Sequence, residues 1–342
     1  MDILITEDLQ APAIDALAAK FSVVREPMLW KDVAKLKAAL ADARTVMVRN
    51  QTKLTAEVLA AAPKLIGIGR VGVGLDNIDL KTATERGITV IAPLDANAVS
   101  VAELTIGLLL ALARKIPQAD RSTKAGGWDR RGCTGIELAG QTLAVCGFGR
   151  IGKLVAKRAA AFGMKLAVFD PFVKPGDGAL AETGATLSSK LEDALGQADF
   201  VTTHSPLTTE TRRMFNERTF AVMKRGAFFV NTSRGGVVDE PALLAALQSG
   251  QLAGAALDVR EVEPPPCSGA LRAPGLSNET ERRSQTAATA FETMDNVILL
   301  PHVGSFTHEA QTRTFEAVCA DLERLLRGEP ASNAVNRPLT SR

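Results

Sequence analysis

Three histidines occur in the 342 residues, and their settings differ. His302 follows the apolar run NVILL and Pro301 and precedes Gly304, so it stands just past an expected strand. An imidazole there titrates near neutrality and is the best candidate for a general acid/base. His204 closes the strand-like run DFVTTH, where a cofactor-facing role and a hydrogen-bonded loop role are both open, and His308, in FTHEAQT, reads as a solvated residue at a helix start. Arg234, in NTSRGG after GAFFV, offers a planar fork to a carboxylate and a carbonyl oxygen. Glu263, in LDVREVEPP, can hold and charge-stabilise the imidazole of His302. Taken singly, each is an ordinary surface ion-pair residue. Their common placement after strands is the pattern of a site assembled at the carboxyl ends of a parallel sheet.

The string CGFGRIG at 146–152 places Gly147, Gly149 and Gly152 directly after the strand-like TLAVC and directly before a helix starting at Arg150 or Ile151. Gly147 permits the tight turn, Gly149 clears the approach of a pyrophosphate, and Gly152 lets the helix lie close on the strand. The helix then offers free N–H groups and a positive dipole end to phosphates. Asp170 closes KLAVFD, about 20 residues on, where a carboxylate accepts hydrogen bonds from ribose hydroxyls. A 2′-phosphate would meet that charge, and no Arg follows within FDPF, so NAD is expected rather than NADP. The bland alternative is a glycine turn packing strand on helix, with Asp170 in a turn before Pro171. Hydride transfer from an alcohol needs a base for the hydroxyl proton, a cation for the developing alkoxide, and a group to orient the base. His302, Arg234 and Glu263 supply those types.

The elements that must position these residues alternate. Short apolar runs (ILIT, TVMVR, LIGIG, ITVI, then TLAVC, KLAVF, DFVTT, GAFFVN, GAALDV, NVILL) are separated by helical patterns, which predicts parallel sheets with covering helices. A second α/β domain is expected to begin near 100–140. The segment Ser100 to Ile116 is apolar nearly all round and predicts one buried helix. Ser188 or Ser189 is the expected cap of KLEDALGQA, and Asp239 that of EPALLAALQSG. The stretch from Pro264 to Met294, rich in Pro, Ser, Thr and charge, reads as a long surface loop. The amphipathic stretch from about Thr307 to Leu326 is placed to return to the first domain.

Composition narrows the partners. With 46% hydrophobic and 23% charged residues the chain has enough apolar material for a sizeable core. A net charge of +2 and no basic cluster interleaved with aromatics argue against nucleic acid. The most membrane-like run, LTIGLLLALA, is well short of the roughly 18 apolar residues a span needs. The start, MDILITEDLQ, has no secretory pattern, so a cytoplasmic location is expected. Cys133, Cys146, Cys267 and Cys319 are scattered, which predicts reduced thiols and no metal site.

The motifs GRVGVGLDNID, NAVSVAE, CGFGRIG, HSPLTTET, MKRGAFFVNTSRGGVVDE, GAALDVREVEP and PHVGS resemble those of the D-isomer-specific 2-hydroxyacid dehydrogenases, the group that includes 3-phosphoglycerate dehydrogenase. The resemblance implies a catalytic triad of Arg234, Glu263 and His302. It implies that Arg150, Ile151, Asp170, Thr232, Ser233, Arg234 and Asp258 line NAD, beside the fingerprint glycines Gly147, Gly149 and Gly152 and, if its cofactor-facing role holds, His204. Val73 and Gly74 are implied to cradle the substrate carboxylate through backbone N–H groups, with Arg234 and His302 as further substrate contacts. Arg49, Asn50 and Arg70, read from the residues alone, are open between meeting a second anionic group and solvated or structural roles. The implied fold is α/β with two doubly wound parallel-sheet domains: a Rossmann cofactor domain, 100–304, inserted into a flavodoxin-like substrate domain, 1–99 and 305–342, with the reaction in a cleft between them. A homodimer through 100–116 and the arm around Trp128 is implied as well. Two departures stand out: Arg260 replaces a usual aromatic, and the inserted stretch lengthens the separation of Glu263 from His302. A regulatory domain after Arg342 is not expected. The expected activity is reversible NAD-dependent oxidation of a D-2-hydroxy acid, possible substrates including 3-phosphoglycerate or a similar small dianion. The rival readings are an NAD-sensing, corepressor-like binding protein on the same scaffold and formate oxidation on a related one.

Overall fold

The computed structural model describes residues 1–263 and 279–336, which divide into two compact units: Met1–Asn97 with the segment from Ser305 onward, and Ala98–Gly304. The first unit holds strands β1 (Ile3–Ile5), β2 (Val23–Arg25), β3 (Thr45–Val48), β4 (Gly67–Arg70) and β5 (Thr89–Ile91). Its helices α1 (Pro12–Ala18), α2 (Val33–Leu40), α3 (Ala56–Ala60) and α4 (Leu80–Glu85) connect them. All pairings are parallel, in the order β2-β1-β3-β4-β5, the flavodoxin-like order. Every residue of β1 and β3 is buried, which is why those strands read as unbroken apolar runs rather than alternating ones. Asp32, Thr55 and Asp79 start α2, α3 and α4 by accepting hydrogen bonds from Lys35, Val58 and Thr82 N–H groups.

The second unit holds β6 (Thr142–Cys146), β7 (Lys165–Phe169), β8 (Thr186–Leu187), β9 (Phe200–Thr203), β10 (Ala227–Asn231), β11 (Leu252–Leu257) and β12 (Val297–Leu299). Its helices are α5 (Ala98–Ala113), α6 (Ile116–Lys124), α7 (Arg150–Ala161), α8 (Gly178–Thr183), α9 (Leu191–Gly196), α10 (Glu217–Val222), α11 (Glu240–Gln248) and α12 (Glu279–Phe291). The sheet runs β12-β11-β10-β9-β6-β7-β8, all parallel. The order reverses between β6 and β9. Ligands of open α/β sheets bind past the carboxyl ends of strands at such a reversal, and here those ends are Cys146 and Thr203, followed by Gly147 and His204.

The chain then returns through α13 (His308–Leu326) to the first unit. Phe315, Val318 and Leu322 of α13 share a core with Ile3, Ile5, Ile14 and Ile91. Residues 333–336 close the outer edge of β5: Ala92 N–H donates to Asn333 O, Val335 N–H to Val90 O, and Val90 N–H to Asn336 Oδ1.

Three local expectations are corrected. The helix expected over 100–116 ends at Ala113; Lys115 turns left-handed (φ 51°), Pro117 restarts the chain as α6, and Ile116 is 51% exposed. Neither Ser188 nor Ser189 caps α9, whose cap position is Lys190 with no side-chain hydrogen bond. The long loop is helical from Glu279 to Phe291, because Ser284, Ala287, Ala288 and Phe291 form a buried stripe at helical spacing against α11. Residues 264–278, the rest of that expected loop, lie outside the described residues, as does Cys267; Cys133, Cys146 and Cys319 are free thiols. Among the described residues no helix is long and apolar enough to cross a membrane, and no cluster of His, Cys, Asp or Glu has metal-binding geometry.

Candidate active site

At the sheet reversal, β6 runs into the glycine string and α7 leaves it. The three glycines do different work. A Cβ on Gly152 would lie 2.1 Å from Gly147 O, so this glycine is required by packing of helix on turn. A Cβ on Gly149 would meet nothing within 4 Å, and Gly149 sits at the cap of α7 with no side chain capping it. The protein fold itself therefore gives no reason for glycine at 149. Glycine there leaves the open end of this twelve-residue helix, with its free N–H groups, accessible to an anion. Asp170 accepts from Phe148 N–H at 2.7 Å and from Phe172 N–H at 2.9 Å, fixing the glycine turn while each oxygen keeps a lone pair for a ribose hydroxyl. Arg150 is exposed and Ile151 half-buried at the start of α7. His204 donates its backbone N–H to Cys146 O, and its Nε2 lies 3.2 Å from Thr202 Oγ1. Burial pushes the His204 imidazole down to about 3, so it stays neutral.

His302 Nδ1 lies 2.9 Å from Glu263 Oε2, both side chains about one-third exposed. The backbone of His302 is left-handed, φ 57°. A non-glycine residue there costs on the order of 1–2 kcal/mol and persists only where its surroundings impose it. Asp258, 1% exposed at the end of β11, imposes it: its carbonyl accepts from His302 N–H, and its carboxylate accepts from Val303 and Gly304 N–H, each at 2.8 Å. Burial raises the Asp258 carboxyl above its ordinary value, opposed by those two amides. Asp258 thus shapes the loop that aims the imidazole.

Arg234 follows β10 in a turn organised by Asn231, whose Oδ1 accepts from Ser233 N–H and Oγ–H and whose Nδ2 donates to Arg234 O. Arg234 Nη1 donates to Ser233 O at 2.7 Å. Thr232 spends its hydroxyl on Thr105 of α5, 3.0 Å away. A Cβ on Gly235 would lie 1.9 Å from Arg260 C and O, so the turn carrying Arg234 sits directly on the backbone that leads to Glu263. Arg260 N–H in turn donates to Glu263 Oε1 at 3.4 Å. The structure thereby joins His302 to Glu263, and the Arg234 turn to the Glu263 segment.

In the first unit, Arg49 follows β3 and its guanidinium stacks 4.4 Å above the Phe306 ring. Glu7, buried, accepts four backbone N–H groups, from Arg49, Asn50, Gln51 and Thr52, at 2.8 to 3.2 Å. Arg70 donates to Val71 O and Asn50 Oδ1, both at 2.8 Å. Val73 and Gly74 follow β4, and neither N–H donates to a protein acceptor among the described residues. Sequence reasoning missed Glu7, Asn231, Gly235 and Glu240, which make no substrate-like pattern of their own.

Residues 106–304 match the model of the D-isomer specific 2-hydroxyacid dehydrogenase NAD-binding domain, more than half of the chain. This chain belongs to that family. D-3-phosphoglycerate dehydrogenase of Methanocaldococcus jannaschii is 44% identical over 337 residues, 98% of this chain and 59% of that protein. The chain therefore spans less than two thirds of the length of the curated relatives it matches. A D-lactate dehydrogenase from Aquifex aeolicus, solved with NAD and lactic acid, superposes with a TM-score of 0.83 at 31% identity, covering 96% of each chain. An NADPH-dependent glyoxylate/hydroxypyruvate reductase from Sinorhizobium meliloti, with NADP and malonate, gives 0.82 at 29% identity, covering 100% of this chain and 98% of that one. The expected architecture, two parallel-sheet α/β domains, agrees with these neighbours.

Proposed function

We propose that the chain interconverts a D-2-hydroxy acid and its 2-oxo acid with NAD, using Arg234, Glu263 and His302. The observation that carries this reading is the 2.9 Å His302–Glu263 pair on a loop clamped by Asp258, in the unit that holds the fingerprint glycines. Because Glu263 occupies Nδ1, Nε2 of His302 is the nitrogen left to take the substrate hydroxyl proton or return it. Glu263 holds the ring's orientation through its contact with Nδ1. Arg234 binds the substrate carboxylate and polarises the carbonyl oxygen. The N–H groups of Val73 and Gly74, with Arg49, hold the rest of the acid. NAD, when bound, supplies the hydride acceptor; Gly147, Gly149, Gly152, Arg150 and Ile151 hold its pyrophosphate, Asp170 its adenosine ribose, and His204, Thr232, Ser233 and Asp258 flank it. The charge of Asp170 favours NAD over NADP.

Arg49 and the buried Arg70 support a second anionic group on the substrate, and relatives named D-3-phosphoglycerate dehydrogenase make 3-phosphoglycerate the first candidate. We place the reaction in the cytoplasm, in a homodimer. The relatives are named as dehydrogenases, which favours catalysis over cofactor binding alone. The test is NADH oxidation by the purified protein over 3-phosphohydroxypyruvate, hydroxypyruvate, glyoxylate and sulfopyruvate. Turnover with at least one of them, highest for a dianion, is expected; no turnover on any would overturn the assignment.

A further inference from the structure

Glu240 is the first residue of α11 and is 2% exposed, a setting in which carboxylates are almost always paired with a cation. Its Oε1 accepts from Glu261 N–H at 2.8 Å, and its Oε2 is buried with no hydrogen-bond partner among the described residues. The helix does not need it, because Asp239 caps α11 by accepting from Ala242 N–H. Nor is it neutralised by Arg213, whose guanidinium is spent on the Glu261 carboxylate at 3.0 and 3.2 Å and on Asp239 at 3.8 Å. Among the described residues, the one hydrogen bond of the Glu240 carboxyl is to the Arg260–Glu261 turn, the same backbone that Gly235 meets. From that turn, Arg260 N–H reaches Glu263 Oε1, and Glu263 Oε2 reaches His302 Nδ1.

We propose that Glu240, in its neutral form, is a positioning residue for the acid/base pair, holding the 260–261 turn so that Glu263 meets His302. This rests on the reading of His302 and Glu263 given above. A neutral carboxyl suits the site because Glu261 and Glu263 bring two more carboxylates to the same turn. Burial foremost, with Glu261 and Glu263 adding to it and the Glu261 amide and Arg260 opposing, raises the Glu240 carboxyl to about 7. Ser284 Oγ–H of α12 donates to Glu261, and Glu292, just past the end of α12, faces Arg260 at 4.0 Å. Ionisation of Glu240 therefore adds a third negative charge to a turn already carrying two, and loosens the hold on Glu263.

The test compares Glu240→Ala and Glu240→Gln with the wild type by steady-state kinetics across pH 6 to 9 and by the ¹⁵N signals of the His302 ring. E240A is expected to lose roughly 10- to 100-fold in kcat, the scale of a small misplacement of a reacting group, with KM for NADH unchanged and an altered His302 Nδ1 signal. E240Q keeps the acceptor for Glu261 N–H, so it is expected to restore both kcat and the signal and to lack an alkaline decline that the wild type shows near neutrality. Wild-type kinetics and signals in E240A, or an E240Q as impaired as E240A, would overturn the proposal. If E240A does not fold, the E240Q pH profile decides alone. The ring signals are read without substrate, so they test the positioning even if the wild type turns over no 2-oxo acid, an outcome that would count against the functional reading only.

Discussion

Replacing Glu240 with glutamine is also expected to change how stability depends on pH. A carboxyl whose pKa rises from 4.5 in the unfolded chain to about 7 in the fold binds its proton more tightly when folded, by about 3 kcal/mol at roughly 1.4 kcal/mol per tenfold. Below pH 4.5 both states hold the proton and the full stability is present. As pH rises from 4.5 to 7 the unfolded chain releases its proton while the folded one keeps it, so stability falls. Above 7 both are ionised and the fold carries the whole penalty. Glutamine has no proton to lose, and its buried amide adds a cost of about 1–3 kcal/mol that does not vary with pH. The quantity to read is therefore the gap between the two proteins as a function of pH. Thermal melts followed by circular dichroism should show E240Q gaining on the wild type between pH 5 and 8 by roughly 5 to 10 °C, since part of the loss is complete by pH 5 and each kcal/mol is worth about 2–4 °C for a unit of this size. Parallel curves across that range would mean that Glu240 does not hold a proton at neutrality, and the reasoning from burial would be wrong.

Four further outcomes are expected. His302→Gln should lower kcat by about 10²- to 10⁴-fold, the usual share of a general acid/base, while NADH affinity measured by fluorescence stays near the wild-type value; unaltered turnover would remove His302 from the mechanism. Gly149→Ala should leave the melting temperature of the unliganded protein within a few degrees yet weaken NADH binding, whereas Gly152→Ala, whose Cβ meets Gly147 O at 2.1 Å, should destabilise the protein itself; equal effects of the two on stability would contradict the division of roles. Gly235→Ala forces a Cβ to 1.9 Å from Arg260 C and should abolish turnover and lower the melting temperature together. Glu7→Ala leaves four amides without their acceptor and should raise KM for the 2-oxo acid more than it changes kcat; an unchanged KM would mean the 49–52 loop holds its shape without Glu7.

What could be read from the residues in order was whatever a local pattern encodes. The glycine string between TLAVC and a helix, Asp170 one strand later, and His302 after NVILL are each visible within a dozen positions, and the strand alternation predicts parallel sheets. What stayed hidden depends on partners far apart in the chain. Asp258 reads as a cofactor-side residue, yet its carboxylate is occupied by amides 45 and 46 positions away. Glu7 and Glu240 look like surface carboxylates because nothing nearby in the sequence shows that backbone amides will wrap them. Helix α12 escaped notice because its buried stripe is made of Ser284, Ala287, Ala288 and Phe291, small residues whose hydrophobic periodicity is faint beside the surrounding Thr, Arg and Gln. Pro117 would have marked the break between α5 and α6 had the apolar content of the run not outweighed it.

The return of α13 to the amino-terminal sheet has a consequence for biosynthesis. Strands β1 to β5 leave the ribosome first, but the helix that covers Ile3, Ile5 and Ile91 and the residues that seal the border of β5 are made last, after the whole of Ala98–Gly304. At about 5 to 20 residues per second, that delay is roughly 10 to 40 s. Until α13 emerges, that face of the sheet is covered by α1 alone, so the inserted unit has its whole chain available before the sheet that precedes it does.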